Sequence, residues 1–475
     1  MFERLKQGIS GFFDTPNASP EKKGGVRHQP RPHFIQRSID GNSLTDRTQN
    51  LGRFLEINSE IITALERVRS RARFLYVNDP LVSNAVDTWV SEAIGTGLRP
   101  SPVIDQPRQI LDAWEMWSDA CDFDRITNFE GLQSDIALAL KRDGEALILL
   151  HETEEGLKLQ HLDAARLDSQ KTSSQYYSQN QNIVISGIEF NPEGQRVGYW
   201  LRTHLDNDVY NYTNLGSPDS VRIPARRIIH IIDRRFPGQI RGLSPLASVI
   251  LSANDLQMLM DASRQAAIMS SFIAGFISDP NGTAESFDLA GQDRAEWTPG
   301  SLLDLGSSQI QFANPQQNAS IHRFTNIHLR QLASGLQMPA WLVDGDLSEI
   351  NYSSARAGLI PFRRKLEAWR ETKLKPQFLN PVWSRWSAME FVQGNYAGML
   401  PKAGWIAPAW EQVDPLKATA SIIAQLEAGL IDQETAVRQI HGHRASHILQ
   451  NLDSGMESGS RSTLQHLTLI HGDNQ

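Results

Sequence analysis

The tightest constraint in the sequence lies between Ser244 and about Ile277. Ser244 suits a helix cap, and Pro245 suits the first helical position. A helix running from there to about Ile277 spans on the order of 50 Å at the usual rise per residue. Its second half, Ala262 to Phe276, is apolar or small on nearly every side, through Ala266, Ala267, Ile268, Met269, Phe272, Ile273 and Ala274. A helix without a polar face must be covered on most sides. Burial at the centre of one domain satisfies that requirement. So does packing against further copies in a ring, and the pattern leaves both open.

Composition narrows the setting. A length of 475 residues allows more than one core, and 40% hydrophobic residues is too many for a disordered chain. No apolar run reaches spanning length, so no membrane partner is expected. The start, Met1-Phe-Glu-Arg-Leu-Lys6, lacks the apolar core of a signal peptide. The single cysteine, Cys121, excludes an internal disulfide and any multi-cysteine zinc site, and it fits a reducing cytoplasm. Eleven tryptophans point to large aromatic cores or subunit interfaces. The net charge of −8 is the wrong sign for gripping duplex DNA. Such a chain either never meets DNA or lets it slide past.

Along the chain, residues 1 to about 50 are polar and interrupted by prolines, and read as a flexible arm. Ile57, Ile61, Leu65, Val68, Ala72 and Leu75 form one helical stripe, with Arg67, Arg69, Arg71 and Arg73 read as a solvated face around it. Asp79-Pro80 caps and starts a second helix that Gly95 ends. Two shorter helical patterns follow, one through Trp114 and Trp117, the other from Leu132 to Asp143-Gly144. The period then becomes that of strands: Glu145 to His151, Leu157 to Leu162, Ile183 to Phe190, Arg196 to Arg202 and Val221 to Ile232. Residues about 50 to 235 therefore read as an α+β domain.

After the long helix, Gln309 to Ala313 reads as a short strand within a small insert. Phe324 to Leu336 is a helix that Met338-Pro339 stops, and Lys375-Pro376 is expected to bend or end the helix that follows. The last part is helical, with caps at Asp414 and Asp432 and a stop at Gly429. The chain from about Asp453 reads as a frayed tail.

Chemistry-bearing patterns are sparse. His151-Glu152 lacks the second histidine of a zinc-protease helix, and His443 with His447 make an incomplete metal site. His230 sits among isoleucines and reads as a core residue. A hydrolase using His230 with Asp233 is the competing class, and it would need a nucleophile placed by the fold. No Gly-x-x-x-x-Gly-Lys-Ser/Thr loop is present, and no cofactor is expected.

The loop between the helix ending at Met338-Pro339 and the next one is polar and acidic: Asp344-Gly-Asp-Leu-Ser-Glu-Ile-Asn-Tyr-Ser-Ser-Ala-Arg-Ala-Gly358. Ser353 or Ser354 is the expected cap of the following helix. On composition it is a surface connection. Its sequence closely resembles the Asp-Leu-Ser-x-x-Asn-Tyr-Ser-Ser-x-Arg run of the lambda-type phage portal proteins. Further blocks match that family in order: Arg71 to Pro80, Gly187-Ile-Glu189, Pro224-Ala225 with His230, Pro237-Gly-Gln-x-Arg-Gly242, the long helix, and Asp414-Pro415 with Gly429-Leu430. Gly442-His-Arg444 departs from it, lacking the acidic residue expected soon after the glycine.

The resemblance implies an α+β portal fold with wing, stem helices, clip, tunnel loop and helical crown. It divides the chain into a flexible arm over 1–50, a wing over 51–240, a stem helix over 241–277, a clip over 278–323 and a second stem helix over 324–339. A tunnel loop over 340–356, a tunnel helix and wing return over 357–409, a crown over 410–452 and a flexible tail over 453–475 complete it. It implies a homo-oligomeric ring, usually of twelve copies, at one capsid vertex of the virion, assembled in the host cytoplasm. Double-stranded DNA would pass through without sequence specificity during packaging and ejection. The implied partners are the terminase, which would carry the ATP chemistry, and capsid and head-completion proteins. Asp344, Asp346, Ser348, Glu349, Asn351, Tyr352 and Ser353 would face the DNA channel, with Arg356 holding a loop carboxylate. Another structural adaptor of the virion is the further alternative.

Overall fold

The computed structural model describes residues 56–102, 108–173, 182–203, 220–272, 275–278, 309–312, 319–348, 350–394, 402–410 and 415–441. The expected arm over 1–50, most of the insert over 278–323, Trp297, His443, His447 and the tail lie outside these residues.

The first helices follow their sequence signals. Helix α1 (Ile57–Asn78) buries Ile61, Leu65, Ala72 and Leu75, spaced to share one face. Asp79 then accepts hydrogen bonds from the Leu81 and Val82 amides and opens α2 (Pro80–Ile94), which closes at Gly95 with φ +58°. Strand β1 (Arg99–Pro102), α3 (Arg108–Asp119) and α4 (Phe129–Arg142) follow.

The next segment builds two sheets. Strand β2 (Glu145–Thr153) lies between β3 (Gly156–Leu162) and a later strand, all antiparallel. Ile183 to Phe190 is not one strand. It is a hairpin, β4 (Ile183–Ile185) and β5 (Ile188–Phe190), turned by Ser186 at φ +49° and Gly187 at φ +80°. Two successive positive φ angles suit a tight hairpin turn, and serine in the first place concealed it in the sequence. β6 (Arg196–Arg202) pairs next. Val221 to Ile232 also divides, into β7 (Ser220–Pro224) and β8 (Ile228–Ile232), separated by a helical turn over Ala225–Arg227. The break lets β7 finish the sheet β4-β5-β6-β7 while β8 joins β2 in the other.

The long helix is shorter than its sequence suggests. Ser244 caps a tight turn over Pro245–Ser248, and α5 runs Ile250–Phe272. Residues expected to continue it form β9 (Gly275–Ser278), paired with β10 (Gln309–Phe312). The chain returns along α6 (Ala319–Leu336), packed on α5 at its root. There Ala253, Leu256, Leu332, Ala333 and Leu336 are buried in the main core.

A single turn, α7 (Trp341–Asp344), then leads to α8 (Tyr352–Trp369). Lys375-Pro376 does not end the helical course. The backbone continues through a π-helical stretch, Arg370–Leu379, into α9 (Asn380–Val392). In a π turn the carbonyls bond to amides five residues on, as Lys375 does with Asn380. That shift absorbs the missing proline amide. Strand β11 (Ala403–Ile406) returns to pair with β1, closing a loop of some three hundred residues. Helices α10 (Pro415–Glu427) and α11 (Gln433–His441) end the described chain, with Gly429 in a left-handed turn between them.

Among the described residues, Trp89, Trp114, Trp383, Trp386 and Trp405 are buried in the main core. Trp114 lies 4.6 Å from Trp117, 5.1 Å from Trp383, 4.9 Å from Trp386 and 5.8 Å from Trp405, centroid to centroid. Edge-on and tilted geometries of this kind favour aromatic attraction. The cluster ties α3 to α9 and β11, parts that are far apart in sequence.

Candidate functional site

The loop after α7 organises itself. Gly345 adopts φ +73°, which reverses the chain. Asp344 Oδ1 accepts from the Asp346 amide at 3.0 Å, and Asp346 Oδ1 accepts from the Ser348 amide at 2.9 Å. These are successive Asx turns, and they explain the aspartates at alternate positions. The Ser348 hydroxyl and amide hold the Asp346 carboxyl below its ordinary value, so it stays ionised.

The cap of α8 is Asn351, not Ser353 or Ser354. Its Oδ1 accepts from the Ser354 amide at 2.9 Å, and Ser354 Oγ accepts from the Asn351 amide at 3.0 Å. This reciprocal capping box uses Ser354 at the third helical position. Tyr352 and Ser353 therefore belong to the first helical turn. Asp344, Asp346, Ser348, Asn351 and Ser353 are all exposed, and so is Leu347. Glu349 lies outside the described residues. Arg356 is exposed on α8, and among the described residues it forms no ion pair with Asp344 or Asp346.

Two polar side chains from α2 and α4 hold the base of this loop. Asn84 on α2 donates to the Val343 carbonyl at 2.9 Å and to the Leu342 carbonyl at 3.1 Å. Lys141 on α4, 6% exposed, donates to the Leu336 carbonyl at 3.1 Å, at the end of α6. A cation suits a helix C-terminus. Burial, with Arg235 and Lys365 nearby, pushes the lysine down to about 8. The loop is thus short, acidic and locally wired, and it stands on a fixed base.

A second polar feature is a buried ionic centre around Glu145. Glu145, with no exposed surface, receives Arg69 at 2.6 Å, Arg241 at 2.6 and 3.0 Å, and the Gly242 amide at 2.9 Å. Arg241 also donates to the Ser186 carbonyl at 3.0 Å, fastening the β4–β5 turn. Burial alone would raise the Glu145 carboxyl. Arg241, the bond from His230 and Arg69 outweigh it and hold the group well below the usual carboxylate range. Gly144 and Gly242 touch here. A Cβ at Gly242 would stand 2.1 Å from the Gly144 carbonyl oxygen, so neither position has room for a side chain.

His230 belongs to this centre. Arg196 donates to Nδ1 at 3.2 Å, which leaves Nε2 to carry the hydrogen toward Glu145 Oε2 at 3.3 Å. The ring is neutral in this arrangement, and burial pushes it down to about 4. Asp233, the suggested partner of His230, instead faces Lys373 at 3.4 Å and Arg235 at 3.6 Å. The hydrolase pairing is not assembled. The solvated arginine face expected on α1 holds for the exposed Arg67 and Arg71 but not for Arg69 and Arg73. Arg69 is buried on Glu145, and Arg73 bridges Asp143 and Asp163 at 2.7–2.9 Å. Their acids lie seventy or more residues away, so helical spacing gave no sign of them. Among the described residues no group of three or more side chains could hold a metal ion, and no helix is long and apolar enough to cross a membrane.

Among the described residues, the buried side chains of α5 and α6 lie at the root of the pair. Farther out, Met258 is 64% exposed, Ile268 48%, Phe324 58% and Ile327 54%. Uncovered apolar helices, a pre-formed exposed loop and a core sealed by ion pairs define a structural subunit made to meet other chains. The chain belongs to the lambda family of phage portal proteins, whose family model matches residues 52–370. A probable portal protein of Halomonas phage phiHAP-1 is 25% identical over 441 residues, covering 86% of this chain and 83% of that protein. The neck of a native gene transfer agent particle, computed with C12 symmetry, aligns with TM-score 0.47 and 15% identity over 81% of this chain and 94% of that one. An HK97 family phage portal protein from Corynebacterium diphtheriae aligns with TM-score 0.31 and 12% identity over 71% and 95%.

Proposed function

We propose that this chain closes into a ring, usually twelve copies in its family, at one capsid vertex, and that DNA passes through the ring without being read. The observation that carries this is the bare apolar surface of α5 and α6, from Met258 and Ile268 to Phe324 and Ile327. An isolated subunit leaves that area in water, and neighbouring copies related by a rotation would cover it. The wing is then residues 51–240 and the stem α5 with α6. The clip is the insert over 278–323 that receives the terminase and later the head-completion proteins, and the crown spans 410–452. The capsid vertex of the virion is its final place, after assembly in the host cytoplasm.

The loop from Asp344 to Ser353 is the segment assigned to the bore. Asp344, Asp346 and Glu349 supply three carboxylates with no cation among residues 344–349. Repeated around an axis they form a continuous anionic field that keeps phosphates from settling. Ser348, Asn351, Tyr352 and Ser353 supply brief, sequence-independent polar contacts. Arg356 stays exposed one turn into α8, beside the loop. The chain supplies the conduit, and the motor supplies hydrolysis.

Negative-stain images of the purified protein test the ring, and closed particles with a central hole are the expected result. Monomers under every condition would overturn it. Packaging by particles carrying Asp344→Asn, Asp346→Asn and Glu349→Gln together tests the loop. Translocation should slow, most at low salt. An unchanged rate would remove the loop from the bore.

A further inference from the structure

The wing carries two unlike exposed patches at opposite ends of the same strand. β2 begins at Glu145, opposite Ile232, and ends at Thr153, opposite Gly156. Nine residues of strand separate these ends by roughly 30 Å. At the far end, Met116 is 78% exposed, Phe123 42% and Ile126 86%. The Trp117 indole donates to the Leu157 carbonyl at 2.7 Å, and the Phe123 ring stacks on His151 at 3.9 Å. Both contacts hold this apolar group beside the β2–β3 turn. Its surroundings are acidic: Glu115, Asp119, Asp124, Glu154 and Glu155 are all exposed. Of the cations there, Arg385 is paired with Glu152, which leaves Arg125 and Lys158, the latter donating to the Ala120 carbonyl, against five carboxylates.

The near end has the opposite character. Directly after β8 the chain turns out as Arg234-Arg235-Phe236-Pro237, all exposed. Phe236 is 37% exposed, and Gln239 braces the turn by accepting from the Arg235 amide at 2.8 Å. Lys373 lies against it, donating to the Arg234 carbonyl at 2.7 Å, and Asp233 is the carboxylate the group contains. This is a small apolar tip in a basic rim.

We propose that the basic tip around Phe236 of one copy seats on the acidic-rimmed Met116–Phe123–Ile126 patch of the next copy, and that this contact sets the direction of ring closure. The inference rests on the ring reading above. A ring needs two different surfaces on opposite sides of each subunit, and these two are matched in both charge and apolar centre. Opposite charges at the rim speed encounter and reject the reversed orientation, in which like charges would meet.

The experiment uses the full chain and mass photometry across a concentration series. Glu154→Lys with Glu155→Lys should raise the concentration for half-assembly by about tenfold or more, as should Arg234→Glu with Arg235→Glu. The fourfold variant, with both rims reversed, should recover most of that loss. Ile126→Ser, which adds no charge, should weaken assembly at any salt, and unchanged thermal unfolding of each variant shows that the fold is kept. Rings that form equally well in both reversed pairs, or a fourfold variant that assembles no better than either, overturn the contact while leaving the ring intact. An unmodified chain that forms no ring removes the ring reading and the contact together.

Discussion

Arg241 grips Glu145 with two parallel hydrogen bonds, Nη2 to Oε1 at 2.6 Å and Nε to Oε2 at 3.0 Å, and neither side chain reaches solvent. The pair ties the first residue of β2 to the segment that leads into α5. Gly242 adds its amide to the same carboxylate, and Ser244, two residues on, anchors to the Arg142 carbonyl at 2.5 Å. The segment that leads into α5 is therefore held to β2 by one buried acid. A replacement that keeps the shape and removes the charge leaves Arg69 and Arg241 without a counter-ion. Glu145→Gln should lose about 3–5 kcal/mol of unfolding free energy in urea titration. A loss under 1 kcal/mol would show that the centre is dispensable.

His230 on β8 is an acid-sensitive element of the fold. Its folded value, about 4, lies below the ordinary 6.5. As pH falls from 6.5 toward 4 the unfolded chain takes up a proton that the folded chain refuses, so stability falls across that window. The full effect is about 3 kcal/mol. Glu145 acts in the other window: its folded value is depressed, so its contribution is present above the ordinary carboxylate range and is lost only at lower pH. The melting temperature should therefore drop between pH 6.5 and 4 in the unmodified chain. His230→Gln should flatten that slope, and an identical slope in both would assign it elsewhere.

Asn84 fixes the base of the acidic loop from another helix. Asn84→Ala strands the Leu342 and Val343 carbonyls and should cost about 1–2 kcal/mol. Its sharper signature is hydrogen exchange, which should accelerate over residues 341–348 while α2 itself stays protected. Acceleration spread evenly over α1 to α4 would mean a general loss of packing instead.

Asn351 orders the other end of the loop. Asn351→Ala removes the capping box and should cost about 1 kcal/mol. Asn351→Asp, which keeps the acceptor, should cost much less. The comparison is read from thermal unfolding, and equal losses in the two variants would deny the cap its role.

Trp114 is the centre of the aromatic cluster, with Trp383 and Trp386 from α9 and Trp405 from β11 around it. Trp114→Ala should cost about 3–5 kcal/mol. Because the cluster closes the chain from residue 114 to residue 405, limited proteolysis should then cut near β11 first.

The sequence by itself determined what is local. Ser244-Pro245, Asp79-Pro80 and Gly95 begin or end helices through contacts within a few residues, so their effect is readable in order along the chain. The acidic loop is of this kind only in part: its bonds are local, yet the expected cap at Ser353 or Ser354 is in fact Asn351. Asp344, Asp346 and Asn351 bond to amides two or three residues on, and those bonds exist whatever surrounds them. Tertiary structure alone decided the rest. Ile183 to Phe190 is as apolar as a single strand, and the Ser186–Gly187 turn that makes it a hairpin is fastened by Arg241 from a distant segment. Arg69 and Arg73 lie on a helix face like any solvated one until Glu145, Asp143 and Asp163 arrive from distant strands and loops. The long helix stops at Phe272 rather than near Ile277 because β10, some thirty residues later, offers the following segment a strand partner. A charge or an edge strand is satisfied by whatever folding brings beside it, and that neighbour is not written in the local pattern.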